Sequence, residues 1–437
     1  MLQTLYLKNV GPAKEMKLEF GSRVNIITGD NGLGKSFILD CVWFALTQQW
    51  LGQINLSLLG GQMIRPTNKN QSATITYSHD FKMFTQLNPS NWQTRPDVTS
   101  HKDTFKFSHQ KQNWLSSKII KRGDTSARAL ILQCSAEGEF GIFDQLRLSL
   151  GFTTPQVWDG LIAWERDKRP NQYPICNGLI RDWVYWQLEN SSEIKQLNAA
   201  LDVLSPNTLE KLTLGKPTRV KIEDARDIPT LKMPYGEEIP VTMASSGIKR
   251  ILSLAYLLVW TWQEHLFHAE LRQLEPVKQI VLLIDELENH LHPQWQRVIL
   301  ESVLNVAQEI MQNDVEVQII ATTHSPLVMA SFEPIFDPQK DAWFDLNLVN
   351  GEVTLEKMPF VRRGGAEMWL LSDAFDLPST GSKEREAVME AAARVLDDPK
   401  ITKAKFLKAD ANLRQYLSET DEFWINWRFI GEKKGWL

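Results

Sequence analysis

The sequence has no long uninterrupted hydrophobic run. Its longest apolar stretch, residues 251–262, is broken by Ser253 and Thr261. A helix needs about 20 apolar residues to cross a bilayer, so we expect a buried helix here instead. The first residues, MLQTLYLKNV, also lack the charged and apolar regions of a signal peptide. Together these absences favour a cytoplasmic location.

Cysteine is scarce, and neither sign of charge dominates. The cysteines Cys41, Cys134 and Cys176 lack the spacing of a metal site and cannot form a disulfide framework, which fits a reducing compartment. The net charge of −5 argues against nucleic-acid binding through bulk positive charge. Basic residues are concentrated at 111–128 and 211–226. These segments either contact phosphate backbone or form solvated surface, and the second interpretation is favoured.

The sequence does contain a complete phosphate-binding loop. Residues 29–36 read GDNGLGKS, between an apolar strand predicted at 24–27 and a helix predicted at 37–46. Successive backbone N–H groups and the helix N-terminus bind phosphates in such a loop. Lys35 is expected to bridge the β- and γ-phosphates of ATP, and the Ser36 hydroxyl to ligate Mg²⁺. The residues expected to bind nucleotide are Gly29, Asp30, Asn31, Gly32, Leu33, Gly34, Lys35, Ser36 and Phe37.

A second motif, VLLIDE at 281–286, places two carboxylates after an apolar run. This pattern is typical of a buried parallel strand that ends at the ligand-binding edge of its sheet. Asp285 is expected to hold the Mg²⁺ shell, and Glu286 to act as general base on the attacking water. The alternative is a strand-end carboxylate that caps the next turn.

Two further segments complete the predicted site. His324, within ATTHSP at 321–326, ends another apolar strand and is expected to donate to the γ-phosphate; a core or surface histidine is the alternative. Ser245, Ser246 and Gly247 open a long predicted helix, where a hydroxyl and N-terminal amides form an anion site. Such a site would cap the γ-phosphate held by a second subunit. The alternative is a plain serine N-cap.

In this order, the motifs resemble those of ABC-type ATPase heads, in the compact branch that includes RecF and OLD proteins. The resemblance covers residues 1–50 and about 241–335, and it includes ENHLHP at 288–293 and THSPLV at 323–328. It implies an α/β fold: a P-loop head whose mixed and parallel sheet is flanked by helices, with an α+β insertion and a helical C-terminal tail. ATP and Mg²⁺ are the implied cofactors.

The same resemblance implies a homodimer or higher homo-oligomer whose heads enclose ATP. His292 and the turn at 288–290 would then contact the opposite head, although His290 and His292 could equally be surface histidines. The signature departs from the transporter sequence LSGGQ, with Ile248 and Lys249 in place of Gly-Gln. The Q-loop glutamine of the family has three candidates, Gln62, Gln172 and Gln187.

The predicted organisation has four parts. Residues 1–150 form ATPase lobe I with the phosphate loop and a β-rich subdomain, and 151–240 a mainly helical insertion with linking strands. Residues 241–358 form lobe II, with the signature, the acidic pair and the switch histidine, and 359–437 a helical C-terminal region. A helix is expected to begin at Pro293 and continue to Ala307. No heptad pattern fills the interval between Lys35 and Ser246, so coiled-coil arms are not expected.

Residues 360–399 resemble the segment after the head in ATPases of bacterial anti-phage systems, such as the Septu, PARIS and retron-associated ATPases. The resemblance implies a sensor or gate subunit. Residues 330–437 contain neither the D-x-D pair of a TOPRIM nuclease nor the clustered histidines of an HNH nuclease. An effector nuclease or toxin is therefore expected to be a separate polypeptide. The aromatic residues at 423–427 and Trp436 are either a docking surface for it or a helix packed on the chain's own head.

Two other functions are compatible with these motifs. One is a RecF-like repair ATPase that clamps duplex DNA, and the other is an ATP-binding scaffold with negligible turnover. A membrane transporter subunit fits poorly, because the signature and the long insertion both differ from that class.

Overall fold

The computed structural model describes residues 1–81, 83–88, 91–95, 101–116, 124–127, 129–146, 149–163, 173–311, 315–377, 379–398 and 400–437. Much of the basic segment at 111–128, namely Lys118, Lys121, Arg122 and Arg128, lies outside the described residues, as does Gln172. The chain divides into two compact units, Met1–Ala366 and Glu367–Leu437. The finer division of the first unit at 150 and 240 stays a prediction.

The strands are given in chain order. They are β1 (Leu2–Lys8), β2 (Glu15–Glu19), β3 (Val24–Gly29), β4 (Thr74–His79), β5 (Met83–Asn88), β6 (Asn91–Arg95), β7 (His101–Ser108), β8 (Asn113–Ser116), β9 (Asp124–Ala127), β10 (Leu130–Cys134), β11 (Phe140–Asp144), β12 (Ser149–Phe152), β13 (Leu161–Ala163), β14 (Tyr173–Cys176), β15 (Thr213–Leu214), β16 (Thr230–Lys232), β17 (Glu238–Pro240), β18 (Gln279–Ile284), β19 (Glu316–Thr322), β20 (Ala342–Val349) and β21 (Glu352–Met358).

The α-helices follow the same order. They are α1 (Lys35–Thr47), α2 (Leu51–Ile54), α3 (Thr154–Asp159), α4 (Leu179–Glu189), α5 (Ser192–Leu204), α6 (Ser246–Leu271), α7 (Pro293–Gln296), α8 (Ile299–Ile310), α9 (Pro326–Phe332), α10 (Ala366–Leu370), α11 (Lys383–Asp397), α12 (Lys403–Tyr416) and α13 (Phe423–Lys433).

The first unit is built on a mixed sheet in the order β12-β11-β10-β18-β19-β3-β20-β21. The strands β10, β18, β19, β3 and β20 run parallel, and antiparallel strands extend the sheet at both ends. The central strands are apolar and buried along nearly their whole length, because helices or a second sheet cover both faces. The predicted fold class, a P-loop α/β head with a mixed sheet flanked by helices, is confirmed.

Helix α1 lies between two sheets. On one side is the mixed sheet, and on the other is an antiparallel sheet in the order β2-β1-β4-β7-β8. One continuous core joins Leu5 and Ile75 of the antiparallel sheet, Trp43 of α1, and Val281 and Ile320 of the mixed sheet. A helix covered on both sides is apolar nearly all round, which accounts for the ten buried residues of α1.

Helix α6 covers the opposite face of the mixed sheet. Its Leu254 and Leu257 face Leu132, Leu282 and Ile284 of the sheet. The helix contains residues 251–262, so the sequence-based expectation of a buried helix there is confirmed. Within the part of the chain that the structure describes, no helix combines the length and hydropathy needed to span a bilayer.

Parallel pairing brings the sequence motifs to one edge of the sheet. Strand β3 leads into the glycine loop, β18 into Asp285, and β19 into the segment that contains His324. The register sets Ile284 beside Ala321, and Thr322 beside Ile27. Because the carboxyl ends of parallel strands lie at the same edge, motifs far apart in sequence meet there.

One local expectation was wrong, and two strands were missed. The helix expected from Pro293 to Ala307 is two helices, α7 and α8, because Val298 leaves the helical region with φ −121°. The strands β20 and β21 were not anticipated, although β20 pairs in parallel with β3.

The second unit is a cluster of helices with its own aromatic core. The Trp427 ring stacks on Phe406 at a centroid distance of 4.2 Å, and its indole donates to Asp410 at 3.0 Å. Trp424 is also buried in this cluster. These two tryptophans therefore belong to the core of the unit, so the docking alternative for 423–427 does not hold at Trp424 and Trp427. Ile425 and Phe429, on the other face of α13, are exposed.

Candidate active site

The glycine loop has the backbone shape that a phosphate-binding loop requires. Gly29 has φ 126° and Gly34 has φ 102°, in the left-handed region that favours glycine. A Cβ on Gly29 would lie 2.3 Å from the carbonyl oxygen of Leu346, and one on Gly34 would lie 2.8 Å from Pro12. The loop therefore needs glycine at both positions, and it ends at the N-terminus of α1.

Lys35 is buried, and its Nζ donates to the carbonyl oxygens of Gly29 and Asp30 at 2.7 and 2.8 Å. Burial lowers the pKa of Lys35, while the nearby carboxylates of Asp285 and Glu286 oppose this shift. The ammonium is thus held against the loop by main-chain acceptors.

The other predicted loop residues divide into exposed and packed positions. Asp30, Asn31, Gly32 and Ser36 are exposed, while Leu33 belongs to the core and the Phe37 ring packs against that core. The backbone of the loop and the Ser36 hydroxyl are therefore accessible to a ligand.

Lys35→Ala is expected to lower ATP affinity on the order of 100-fold or more, since hydrogen bonds to charged groups contribute about 1.5–3 kcal/mol each. Titration with a fluorescent ATP analogue measures this. Lys400→Ala, at an exposed lysine of the second unit, is the matched control. Equal affinities for both variants would remove Lys35 from the binding site.

Asp285 and Glu286 are held by one hydroxyl. The buried Thr322 hydroxyl donates to Asp285 Oδ1 at 2.7 Å and accepts from the backbone N–H of Glu286 at 2.7 Å. Glu286 has φ 46°, which is uncommon for a residue with a side chain. Thr322 thereby fixes both the carboxylate that is expected to hold Mg²⁺ and the backbone of the expected general base.

Arg250, which the sequence analysis gave no role, ties the signature helix to this turn. Its guanidinium donates to the carbonyl oxygens of Asp285 and Glu286 at 2.8 and 3.2 Å. It also donates to those of Ser135 and Ala136, both at 3.2 Å. The planar guanidinium thus donates to four main-chain carbonyl oxygens at once. The sequence indicates a role for Arg250 only through its position at the end of the segment SSGIKR, residues 245–250.

The two serines of the signature segment, Ser245 and Ser246, have different surroundings. The Ser245 hydroxyl accepts from the N–H of Ile248 at 3.4 Å and is the N-cap of α6. Ser246 is exposed and lines a cleft of about 200 Å³ with Glu137, Arg250 and His290. Capping by Ser245 leaves the Ser246 hydroxyl accessible at the helix N-terminus.

Gly247 permits close packing between the signature helix and the turn after the acidic pair. A Cβ at this position would lie 2.5 Å from the carbonyl oxygen of His290. His290 itself has φ 62° and is exposed. The exposed His292 accepts from the N–H of Gln294 at 3.4 Å and caps α7. A contact of either histidine with an opposite head stays a prediction.

His324 lies near the other charged groups of the site. Burial and the nearby Lys35 ammonium lower its pKa, while Glu288, Asp285 and Asp30 oppose this. The lowered pKa favours the neutral imidazole, in which one ring nitrogen carries a proton that it can donate.

Gln133 and Asp40 form a second polar pair that the sequence analysis missed. Gln133, on β10 beside β18, donates to Asp40 Oδ1 at 3.0 Å. Burial raises the pKa of Asp40 to about 7, with further increases from Asp285, Glu137 and Glu139. The two Q-loop candidates that the structure describes, Gln62 and Gln187, donate to the carbonyl oxygens of Leu58 and Gly215. The assignment of a Q-loop glutamine stays a prediction.

Asp40 predicts a pH dependence of stability. Its carboxyl is protonated up to about pH 7 in the folded chain, whereas its ordinary pKa is 3.8. Between these values the folded state binds more protons, so the free energy of unfolding falls as pH rises. At 1.36 kcal/mol per pKa unit, Asp40→Asn is expected to remove a fall on the order of 3 kcal/mol. Urea denaturation at pH 5 and 8, without magnesium, tests this; identical pH dependence in both proteins would contradict it.

The residues at this edge fit ATP with Mg²⁺. The Ser36 hydroxyl and the Asp285 carboxylate offer the oxygen ligands that Mg²⁺ prefers, with phosphate oxygens and water completing the shell. One oxygen of Asp285, Oδ1, accepts from the Thr322 hydroxyl, and this hydrogen bond restrains the carboxylate. The exposed Ser36 lies at the N-terminus of α1, which favours anions.

Comparison with known families agrees with this geometry. Residues 4–156, which contain the glycine loop, match the family described as AAA domain. Residues 174–329, which contain the signature, the acidic pair and His324, match the family described as AAA ATPase domain. Models of AAA-type domains thus match two separate parts of the chain, which together contain all of the predicted motifs. The expected ATPase class of the chain is thereby confirmed.

Two curated relatives of this ATPase chain carry the word retron in their names. The retron Ec83 probable ATPase of Escherichia coli is 26% identical over 36% of this chain and 26% of that protein. The retron Vc95 probable ATPase of Vibrio cholerae serotype O1 biovar El Tor is 20% identical over 73% of this chain and 69% of that protein. The chain thus matches about a quarter of the first relative and about two thirds of the second.

Among solved structures, the ATPase chain is similar to the SMC head domain from Thermotoga maritima. The two are 14% identical, with a TM-score of 0.38, over 82% of this chain and 99% of that one.

Proposed function

We propose that the chain binds and hydrolyses ATP in composite sites shared by two subunits. One subunit supplies the glycine loop, the acidic pair and His324, and the other supplies Ser246 at the start of α6. The exposed position of Ser246 carries this proposal. The cleft that Ser246 lines contains His290 but none of residues 29–36, which supports a role for its hydroxyl at a nucleotide bound by another molecule.

The chemistry follows from the positions of the side chains. Bound Mg²⁺, held by Ser36 and Asp285, would neutralise phosphate charge. Lys35 binds the β- and γ-phosphates. Glu286 accepts a proton from the attacking water. The N–H of the neutral His324 ring donates to the γ-phosphate, and the Ser246 hydroxyl with the α6 N-terminus binds the same group from the second subunit.

The biological role that we propose is the sensor or gate of a bacterial anti-phage complex in the cytoplasm, with a separate nuclease or toxin. The names of both retron relatives support this, because a retron-associated ATPase is one of the groups that residues 360–399 resemble.

The basic segment at 211–226 gives little support to DNA clamping. Three of its cations are paired with carboxylates: Lys211 with Asp202, Arg219 with Asp227, and Arg226 with Asp224 and Asp159. Paired cations contribute less to phosphate binding, whose affinity comes from release of counterions by free positive charge. Duplex binding that requires ATP and weakens with salt would overturn this reading and favour a RecF-like clamp.

A phage-plating assay tests the defence role. Cells that express the chain with the product of its adjacent gene are expected to resist phage, and the Lys35→Ala variant is expected to lose that resistance. Protection that persists in Lys35→Ala would contradict a role for ATP. Copurification of the two gene products identifies the effector, and it serves as a control for expression of both.

A further inference from the structure

The turn that follows the acidic pair is bonded directly to the segment that carries the switch histidine. Glu288 Oε2 accepts from the Thr323 hydroxyl at 2.6 Å, and Glu288 Oε1 accepts from the backbone N–H of His324 at 2.5 Å. Both bonds are charge-assisted, a class roughly twice as strong as neutral hydrogen bonds. One carboxylate thus holds two successive residues at the end of β19.

The two residues that flank His324 have other anchors as well, among them a hydrogen bond from the Ser325 hydroxyl to Gln296 at 2.7 Å. Thr323 is fully buried, and its N–H donates to the carbonyl oxygen of Ile27 on β3. The following helix does not need Glu288, because α9 has its own N-cap in Ser325, whose hydroxyl accepts from Val328. The carboxylate of Glu288 is therefore available to set the position of His324 itself.

The turn that carries Glu288 is also tied to the signature helix. Arg250 donates to the carbonyl oxygens of Asp285 and Glu286, and Gly247 packs against the backbone of His290. A displacement of α6 would therefore also move the turn, because these contacts join them. The hydrogen bonds of Glu288 would in turn shift the backbone at His324.

We propose that Glu288 is a positioning residue for His324, and that it links the turn at 286–292 to the γ-phosphate contact within the same subunit. The inference deepens the proposed function and rests on it for the assignment of that phosphate contact. In a composite site, docking of a partner against this turn would then adjust the His324 ring through two hydrogen bonds.

Two substitutions at Glu288 separate positioning from simple loss of charge. Glu288→Ala removes both acceptors and is expected to lower kcat on the order of 100-fold, the cost of a small misplacement in a reacting geometry, with ATP affinity within twofold. Glu288→Gln keeps an acceptor for the N–H of His324 and a donor for Thr323, so its kcat is expected within about threefold of wild type. Equal losses in the two variants would overturn the proposal.

A double-mutant cycle with His324→Ala tests whether Glu288 acts through the histidine. The double variant is expected to hydrolyse ATP at the rate of His324→Ala alone, because residues that act through one contact are not additive. Losses that multiply would assign Glu288 a separate role. Glu309→Ala, at an exposed acidic residue of α8, is the control and is expected to match wild type.

A titration that needs neither turnover nor association completes the test. Removal of the Glu288 charge, in either variant, is expected to lower the pKa of His324, because this carboxylate opposes the effect of burial. Histidine-labelled protein followed by NMR gives the value, with His324→Ala identifying the signal. An unchanged pKa would show that the two groups do not face each other in solution. Normal turnover in Ser246→Arg would instead refute the shared site and leave this result standing.

Discussion

Glu286→Gln is expected to hold ATP without hydrolysing it and to accumulate as an associated form of the protein. The amide keeps the size of the side chain and the left-handed backbone at φ 46°, but it cannot take a proton from water. General-base catalysis contributes typically 10²–10⁴-fold, so turnover is expected to fall by about this factor. Multi-angle light scattering with Mg²⁺ and ATP measures the mass, and filter binding measures retained nucleotide.

The control for this experiment is the double variant Lys35→Ala with Glu286→Gln, which is expected to remain unassociated at every ATP concentration. If Glu286→Gln hydrolyses ATP as fast as wild type, the general base is another residue. Wild-type turnover equal to that of the variant because both are negligible would favour the scaffold function. If the mass of Glu286→Gln does not change when ATP is added, ATP binding does not cause association.

Ser246→Arg is expected to abolish hydrolysis while leaving ATP binding by a single subunit intact. Ser246 is exposed at the N-terminus of α6, so the larger side chain does not disturb the core and Ser245 still caps the helix. The guanidinium would occupy the space that a partner's γ-phosphate needs. We expect turnover to fall at least 100-fold, since loss of one preorganised donor costs about 10²–10³-fold, with the dissociation constant for ATP within twofold.

The matched control is Gln308→Arg, which adds the same side chain on the exposed face of α8. It is expected to hydrolyse ATP as wild type does. Normal turnover in Ser246→Arg would exclude the trans role of the signature, whereas loss of ATP binding would place Ser246 in the subunit's own nucleotide site.

The strands and loops that carry chemistry were predictable because each has a local signal. The glycine loop has a specific sequence, GDNGLGKS, between a strand and a helix, and few other structures share this combination. The motif at 281–286 predicted a strand where β18, residues 279–284, is observed, because an unbroken apolar run that ends in carboxylates is typical of a buried parallel strand. The parallel register then places Asp285 and His324 at one edge, as expected.

The residues that support this chemistry could not be found in the same way. Thr322, Glu288 and Arg250 act through hydrogen bonds to residues distant in sequence, and their own neighbours in the chain reveal none of these partners. Likewise, β20 contains polar residues, among them Asp345, that a buried strand rarely carries. Asp345 is satisfied by the Thr28 hydroxyl at 2.5 Å, a partner that only the folded sheet supplies.

The aromatic C-terminal segment shows the limit of composition as a guide. An accumulation of tryptophan fits a docking surface and a core equally well from sequence. Trp427 is fully buried, and its ring stacks on Phe406 while its indole donates to Asp410, so the structure decides for a core. Composition does not reveal these contacts, so the two alternatives could be separated only in the folded structure.

The central claim is that a complete reaction centre requires two copies of the chain, and dilution of the wild-type protein tests it most directly. Specific ATPase activity at saturating ATP and Mg²⁺ is measured across protein concentrations that span the association range found by light scattering. The shared site predicts that activity per subunit falls toward zero as the associated form disappears. Constant activity per subunit in a strictly monomeric sample would contradict it.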